Sequence, residues 1–401
     1  MHIPEYILPA LLLLVVAIGL YAWYRERHLR YKPYYKQKAN SFFSDAPSYP
    51  KQAPQHSICL IGDTGNITDA QNDPVVKLLR TWLTENPDNG TLIFLGDNIY
   101  PVGLPPIGHK TRAIAEKRLK VQLDLVREYP GQVFFISGNH DWNKGRANGL
   151  EYVLRQEEYI TKYLNRPHCY LPAGGCPGPV VRHLSENIML IFINTQWWVQ
   201  KGVRPIGKTF NCSTQSEADF FRQLEELLVL YPQKQIIIAA HHPLYSNAMH
   251  GGKFTLKQHL FPLTAAHKKF YVPLPVAGSI YPVYRKLYGP EEDMSNPRYR
   301  RLRRKLLQIF HKHKNIIYAA GHDHNLQYFA IKNNHYLVSG SGSKTAFVQS
   351  GGRATFVHEH KGFFVVDYFN SENIWLSALE PPRPGTPDKY TVAFRKKMNP
   401  L

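Results

Sequence analysis

Five short apolar segments of this chain each run into a polar motif, and this pattern constrains the fold more than any other feature. The motifs are Gly62-Asp63-Thr64-Gly65, Gly96-Asp97-Asn98-Ile99-Tyr100, Gly138-Asn139-His140-Asp141, Ala239-Ala240-His241-His242-Pro243 and Ala320-Gly321-His322-Asp323-His324-Asn325. The apolar segments have the length of strands buried on both faces, and helical patterns separate them. This alternation predicts an α/β sandwich built around mixed sheets.

The same patterning predicts individual elements. Strands are predicted at 58–62, 91–96, 133–137, 188–194, 235–240, 316–320, 335–339 and 363–368. Helices are predicted at 74–85, 217–230 and 299–313. Asp73 before Pro74 is typical of a helix start, and Thr214 and Glu217 have the spacing of a capping box.

Ligands of α/β sheets bind beyond the carboxyl ends of the strands, so the five motifs should meet at one place. The candidate ligands among them are two aspartates, one asparagine and at least three histidines. This mixture of oxygen and nitrogen donors suits zinc, manganese or iron. An aspartate with two carboxylate oxygens can bridge two such ions, so the sequence predicts a two-metal site.

The motifs in series closely resemble the calcineurin-like metallophosphoesterase superfamily over residues 57–345. GDNIY and GHDHNLQY resemble its purple acid phosphatase branch. The resemblance implies a four-layer α/β/β/α sandwich of two mixed sheets with flanking helices. It also implies a first metal held by Asp63, Asp97, Tyr100 and His324, and a second metal that shares Asp97 and is completed by Asn139, His241 and His322.

Tyr100 stands where purple acid phosphatases carry the tyrosine ligand of ferric iron. The resemblance therefore implies iron in the Tyr100 position and iron, zinc or manganese in the other. In the alternative interpretation Tyr100 is a wall residue of a metallophosphoesterase without ferric iron. His242 is not expected to be a ligand, because the first histidine of the pair matches the family position.

Two further histidines receive roles by resemblance. His140 follows a ligand and is expected to contact phosphate or donate a proton, with Asp141 orienting it. His250 stands where the branch has a second active-site histidine, although a surface histidine is the alternative. The implied reaction is in-line attack of a metal-activated hydroxide on a phosphomonoester. Hydrolysis of a diester or pyrophosphate, in a lipid-linked or nucleotide substrate, is the close alternative. A non-catalytic module that only binds anions is disfavoured, because it would not need every metal ligand to be present.

The amino terminus predicts a membrane anchor. Residues 6–24 contain no charged side chain over 19 positions, about the length needed to cross a bilayer. A cleaved signal peptide is disfavoured, because no basic region precedes the segment and no small-residue cleavage site follows it. Six Lys and Arg residues against one Glu follow at 25–38. This flank favours anionic lipid headgroups as partners and a cytoplasmic body, although purple acid phosphatases are usually exported and an extracytoplasmic body stays open.

The predicted organisation is an anchor at 1–30, a linker at 31–55, a metallophosphoesterase domain at 56–380 with an insertion at 251–298, and a peripheral tail at 381–401. The insertion is dense in aromatic, proline and basic residues. It is expected to form a lid or a substrate wall, or to contact lipid, and the alternative is a packed excursion that covers the sheet. The formal charge of +19 favours anionic partners, but no nucleic-acid recognition motif is present. The sequence does not predict an oligomeric state.

The four cysteines are too few for a disulfide scaffold. Cys59 lies in an apolar run and is expected to be buried. Cys169 and Cys176 flank a turn-rich stretch, which suggests a short-loop disulfide between them in an oxidising compartment.

Overall fold

The computed structural model describes residues 30–37, 49–265 and 277–398, with isolated positions between 6 and 24 and at 270, 272 and 274. Within this described part, no helix is long and apolar enough to cross a bilayer. The predicted transmembrane helix is thus not found among the described helices. Most of segment 6–24, and the start of its basic flank, lie outside the described residues.

Two mixed sheets form the centre of the fold, as the sequence predicted. One has eight strands in the order β1-β11-β9-β10-β8-β7-β6-β5, and the other has six in the order β14-β13-β12-β2-β3-β4. The strands are β1 (Tyr34–Tyr35), β2 (His56–Ile61), β3 (Gly90–Phe94), β4 (Gln132–Phe135), β5 (Val180–His183), β6 (Ile188–Phe192), β7 (Gln235–Ala239), β8 (Ile317–Ala320), β9 (Leu326–Ile331), β10 (Asn334–Ser339), β11 (Phe356–His358), β12 (Phe363–Asn370), β13 (Asn373–Glu380) and β14 (Thr391–Met398).

Helices flank both sheets. Those in the described residues are α1 (Pro74–Glu85), α2 (Arg112–Val126), α3 (Gly149–Leu164), α4 (Gln196–Val199), α5 (Glu217–Leu230), α6 (Leu256–Leu260), α7 (Ile280–Leu287) and α8 (Pro297–Phe310). Asp73 caps α1 through bonds from the backbone amides of Val75 and Val76. The cap of α5 is Ser216, which accepts from Asp219 N, so the predicted capping box on Thr214 is wrong.

Three apolar clusters show how the layers pack. The first lies between the sheets and joins inward-facing residues such as Leu60 and Ile93 to Leu190 and Ile317. A second packs α5 and α8 on the eight-stranded sheet, and a third packs α1, α2 and α3 on the six-stranded sheet. This gives helix, sheet, sheet and helix layers. Strands β2, β3 and β4 are parallel to one another, as are β6, β7, β8 and β10, so several carboxyl ends share one edge.

The tail and the linker are more structured than the sequence suggested. Thr391–Met398 is not peripheral, because it forms β14 and pairs with β13 along the edge of the six-stranded sheet. Phe394 on this strand is fully buried. Tyr34–Tyr35 of the linker pairs with β11.

The structure also corrects the disulfide. Cys176 is bonded to Cys212, with their Cα atoms 5.7 Å apart, and not to Cys169. Cys169 and Cys59 are buried free thiols.

Candidate metal centre

The five motifs follow β2, β3, β4, β7 and β8, and they converge where the carboxyl ends of the two sheets meet. Three of the polar residues take left-handed backbone conformations that non-glycine residues adopt rarely: φ is 61° at Asp63, 54° at Asp97 and 72° at His322. The two sheets are joined directly here, because the amide of His322 donates to Asp63 Oδ2 at 2.8 Å. Such local strain is typical of functional sites.

Glycines make this convergence possible. A Cβ on Gly138 would lie 2.3 Å from Asp97 Oδ1 and 2.7 Å from His241 Cε1. The backbone of the third motif therefore passes directly against the side chains of the second and fourth.

One half of the centre contains Asp63, Tyr100 and His324. The Tyr100 hydroxyl donates to Asp63 Oδ1 at 2.8 Å and lies 2.9 Å from His324 Nε2. His324 Nε2 is 3.4 Å from the same Asp63 oxygen. The structure thus brings together three of the four residues predicted for the first metal within one hydrogen-bonded cluster.

The other half contains Asn139, His241 and His322. His241 Nε2 is 3.0 Å from Asn139 Oδ1 and 3.2 Å from His322 Nδ1, which is itself 3.1 Å from Asn139 Oδ1. On the far side of each ring, His241 Nδ1 contacts the Leu95 carbonyl and His322 Nε2 contacts the Glu292 carbonyl, both at 2.8 Å. Because a carbonyl only accepts, these far nitrogens carry the protons.

The inner atoms of the second half are therefore three acceptors: a lone pair on each histidine and the amide oxygen of Asn139. Acceptors this close repel one another unless a cation or a proton lies between them. A divalent metal with nitrogen and oxygen ligands fits this donor set. The second-half residues therefore suit the metal that the resemblance implies.

Asp97 lies between the two halves. Its Oδ1 is 3.5 Å from His241 Nε2 and accepts from the amide of His140 at 2.9 Å. Asp63, Asp97 and His241 each offer a buried ligand atom within 4.8 Å of the others. This is the position that a carboxylate bridging two ions needs.

Burial and the neighbouring charges shift the pKa values of Asp97 and Tyr100 in opposite directions. Burial raises the pKa of Asp97, but the neighbouring His241 and His140, when protonated, lower it to about 2. Burial and the carboxylates of Asp63 and Asp97 raise the pKa of Tyr100 well above its ordinary value. Without added positive charge, the phenol of Tyr100 therefore keeps its proton.

His140 and Asp141 are adjacent but do different things. His140 Nδ1 lies 2.6 Å from the Pro101 carbonyl, and its Nε2 lies 3.8 Å from Asp97 Oδ2. Asp141 was predicted to orient His140; instead its carboxylate accepts from the backbone amides of Asn98 and Gly138, at 3.0 and 2.8 Å. Burial and the charge of Asp97 raise the pKa of Asp141 to about 7. Asp141 thus ties two motif loops together, and Pro101 orients His140.

His250 lies beside the second half of the centre, where His322 and Asp293 hold its side chain in place. Its ring packs 4.1 Å from the ring of His322, and its Nδ1 is 2.8 Å from Asp293 Oδ1. Burial lowers the pKa of His250, but the bond to Asp293 raises it above its ordinary value. His242 Nδ1 lies 2.9 Å from the Thr195 hydroxyl, and its ring packs 4.5 Å from the ring of His322.

Sequence reasoning missed two residues at the centre. The Lys344 ammonium lies 3.5 Å from the centroid of the Tyr100 ring, and burial lowers its pKa although Asp97 and Asp63 raise it. Glu292 of the insertion accepts from Asn139 Nδ2 at 3.2 Å through its carboxylate. Neither residue belongs to a strand-end motif, so no local signal in the sequence marked it.

The matched family model, calcineurin-like phosphoesterase, covers residues 56–362. The chain belongs to the calcineurin-like phosphoesterase family. It is therefore a phosphoesterase hydrolase, and the family implies divalent metal ions at the centre described above. A comparison with curated protein sequences found no match.

Solved structures share the fold at low identity. GAP50 of Plasmodium, named as the anchor in the inner membrane complex, has a TM-score of 0.50 and 15% identity, covering 87% of this chain and 90% of GAP50. Purple acid phosphatase PPD1 of yellow lupin has a TM-score of 0.51 and 14% identity, covering 88% of this chain and 55% of the phosphatase. PhoD has a TM-score of 0.51 and 12% identity, covering 88% of this chain and 73% of PhoD.

Proposed function

We propose that this phosphoesterase hydrolyses phosphomonoesters at a dinuclear metal centre of the purple acid phosphatase type. The observation that carries the proposal is the arrangement of two clusters on either side of Asp97. Asp63, Tyr100 and His324 would hold one ion, and Asn139, His241 and His322 the other. When bound, two such ions would activate water as the nucleophile and neutralise charge on the phosphoryl group.

The protein's own groups orient the metal ligands and donate the proton to the leaving oxygen. The Leu95 and Glu292 carbonyls fix the histidine tautomers, so the inner nitrogens present lone pairs to the second ion. His140 is the favoured proton donor to the leaving oxygen, because its side chain is 17% exposed and its Nε2 faces the centre. His250 is the second candidate, but its bond to Asp293 and its packing on His322 favour a supporting role.

Iron in the Tyr100 half and iron, zinc or manganese in the other half is the proposed metal pair. A buried phenol with a raised pKa loses its proton only to a strongly charged ion, which favours a trivalent metal beside it. The Lys344 ammonium over the ring would also stabilise the tyrosinate form.

The alternative with the same centre is hydrolysis of a diester or pyrophosphate, in a lipid-linked or nucleotide substrate. The exposed apolar face of α7 favours a lipid-linked one: Ile280 is 70% and Tyr284 50% exposed. Rates on an aryl phosphomonoester, a bis-aryl diester, a nucleoside diphosphate and a lipid phosphate would separate the two. The proposal predicts a higher kcat/KM on the two monoesters, the aryl phosphate and the lipid phosphate, than on the diester and the nucleoside diphosphate, and the highest value on either of the latter would overturn it.

Variants test whether the centre carries the activity. Asp97→Ala and Asn139→Ala are each expected to lower kcat/KM for the aryl monoester by at least about a hundredfold, since each removes metal ligation. Asp69→Ala is the control, because this exposed aspartate only caps a turn at Asn72. Undiminished activity in Asp97→Ala would reject the assignment of the centre.

We further propose that residues 6–24 anchor the protein in a membrane, with the catalytic body on the oxidising side. The Cys176–Cys212 bond supports this side, because disulfides persist in extracytoplasmic compartments. The basic flank argues for the cytoplasmic side, and a disulfide in the body carries more weight since it needs an oxidant to form. Protease digestion of intact cells tests the proposal: the body should be cleaved, and a protected body would contradict it.

A further inference from the structure

We propose that Glu292 is a positioning residue for the second metal, and that the insertion which carries it is therefore part of the metal centre. This inference rests on the proposed dinuclear function and deepens it. Glu292 contacts two of the three residues assigned to that ion, and it does so through different atoms. Its carboxylate accepts from Asn139 Nδ2 at 3.2 Å, and its backbone carbonyl accepts from His322 Nε2 at 2.8 Å.

The first contact fixes the amide of Asn139. An asparagine amide can rotate by half a turn, which exchanges its oxygen and nitrogen. A carboxylate accepts only, so Glu292 Oε1 holds the NH2 group on its own side and leaves Oδ1 facing His241 and His322. In the reversed amide, the oxygen would face the carboxylate and the NH2 group would face the metal position.

The second contact fixes the proton of His322. Because the Glu292 carbonyl accepts from Nε2, the lone pair of the neutral ring lies on Nδ1, which points at Asn139 Oδ1 and His241 Nε2. Partners of this kind raise ligand basicity and hold the ring in place. One residue of the insertion thus prepares two ligands for the same ion.

The loop that carries Glu292 is firmly attached. The neighbouring Asp293 is 1% exposed, accepts from Arg285 Nε at 2.7 Å and lies 2.8 Å from His250 Nδ1. Arg285 lies on α7 and is 5% exposed. The amide of Met294 also donates to the His250 carbonyl at 3.0 Å. These bonds tie the insertion to itself and to the loop after β7, so this part of it forms a fixed wall beside the second half.

The adjacent Glu291 offers a matched control. Its carboxylate pairs with Lys201 at 2.7 Å, on the rim of the loop and away from the ligands. Glu291 and Glu292 share residue type, loop and charge but differ in their partners.

The test is titration of metal-free full-length protein with Zn²⁺ by calorimetry, comparing wild type, Glu292→Ala, Glu292→Gln and Glu291→Ala. Glu292→Ala is expected to weaken one of the two binding steps by about ten- to a hundredfold and to leave the other unchanged, as removal of an orienting partner does elsewhere. Glu292→Gln keeps an acceptor oxygen for Asn139 and should recover most of the affinity. Glu291→Ala should bind as wild type does, and thermal unfolding of each metal-free variant checks that it folds.

Several results would overturn the inference. One is wild-type affinity for both ions in Glu292→Ala, and another is Glu292→Gln binding as weakly as Glu292→Ala. Loss of affinity in Glu291→Ala would also overturn it, since the effect would then belong to the loop's charge. A wild-type protein that binds no Zn²⁺ would instead reject the proposed metal centre itself.

Discussion

Removing the bond between Cys176 and Cys212 is expected to destabilise the protein by about 4 kcal/mol. The two cysteines are 36 residues apart, and closing a loop of that length in the unfolded chain costs about this much conformational entropy at 25 °C. The bond joins the segment before β5 to the loop before α5. Its loss therefore acts mainly by enlarging the unfolded ensemble, and the native packing of the two segments should persist.

Urea unfolding of wild type and the Cys176→Ser/Cys212→Ser variant, with and without reductant, measures the effect. A loss of 4 kcal/mol lowers the urea midpoint by roughly 1 M or more, given slopes of about 1–3 kcal/mol per molar. Reductant should shift wild type to the midpoint of the variant and leave the variant unchanged. The variant keeps Cys59 and Cys169, which are buried free thiols, so it controls for effects of the reductant on them.

Two results would refute this reasoning. A wild-type midpoint that does not respond to reductant would mean that the bond is absent or contributes nothing. A further shift of the double variant with reductant would mean that another cysteine pair is bonded.

Three other predictions follow from the packing and charges. Gly138→Ala should lower phosphomonoesterase kcat at least about a hundredfold, because its Cβ would displace Asp97 and His241, and activity near wild type would contradict the close approach. Asp293→Ala should cost about 3–5 kcal/mol of unfolding free energy by leaving Arg285 buried without its carboxylate, and chemical denaturation checks this against Glu291→Ala. Burial and, to a smaller extent, the charge of Lys396 lower the pKa of His335 to about 4, below its ordinary 6.5. The contribution of His335 to the free energy of unfolding is therefore complete above pH 6.5 and is lost as the pH falls towards 4. Over that range metal-free wild type should lose about 3 kcal/mol more stability than His335→Gln, and parallel pH profiles would contradict it.

Much of the fold follows from the sequence because its signals are local. Each buried strand predicted is present within a few residues, since a continuous apolar run has few alternatives once helices separate it from the next. β14 was missed because it is an edge strand with charged residues and no such run. The Thr214 cap was wrong because the sequence spacing allowed two starts, and Ser216 lies one residue before the helix that forms.

The ligand-bearing motifs were also predictable, because the carboxyl ends of parallel strands share one edge of each sheet. Pairings between distant loops were not. Cys176 joins Cys212 rather than nearby Cys169 because the chain returns to it after β6 and α4, which no local spacing encodes. Asp141 was assigned to its neighbour His140, but the tight turn sends the two side chains in different directions.

The role of Glu292 depends on how the insertion folds back onto the centre, which sequence composition does not describe. The aromatic and basic residues of that segment suggested a lid, a substrate wall or a lipid contact. The contacts of Glu292 and Asp293 attach the last part of the segment to the second half of the centre, and a lid or a lipid contact formed by the rest stays a prediction.

Metal content of the purified protein tests the central claim most directly, measured together with its visible spectrum for wild type, Asp97→Ala and Tyr100→Phe. The dinuclear account predicts two ions per wild-type chain, with a tyrosinate–iron absorption band. Asp97→Ala should lose both ions, since it is the proposed bridge, and Tyr100→Phe should lose the band. A colourless wild-type protein would reject iron beside Tyr100, and wild-type metal content in Asp97→Ala would contradict the two-metal centre.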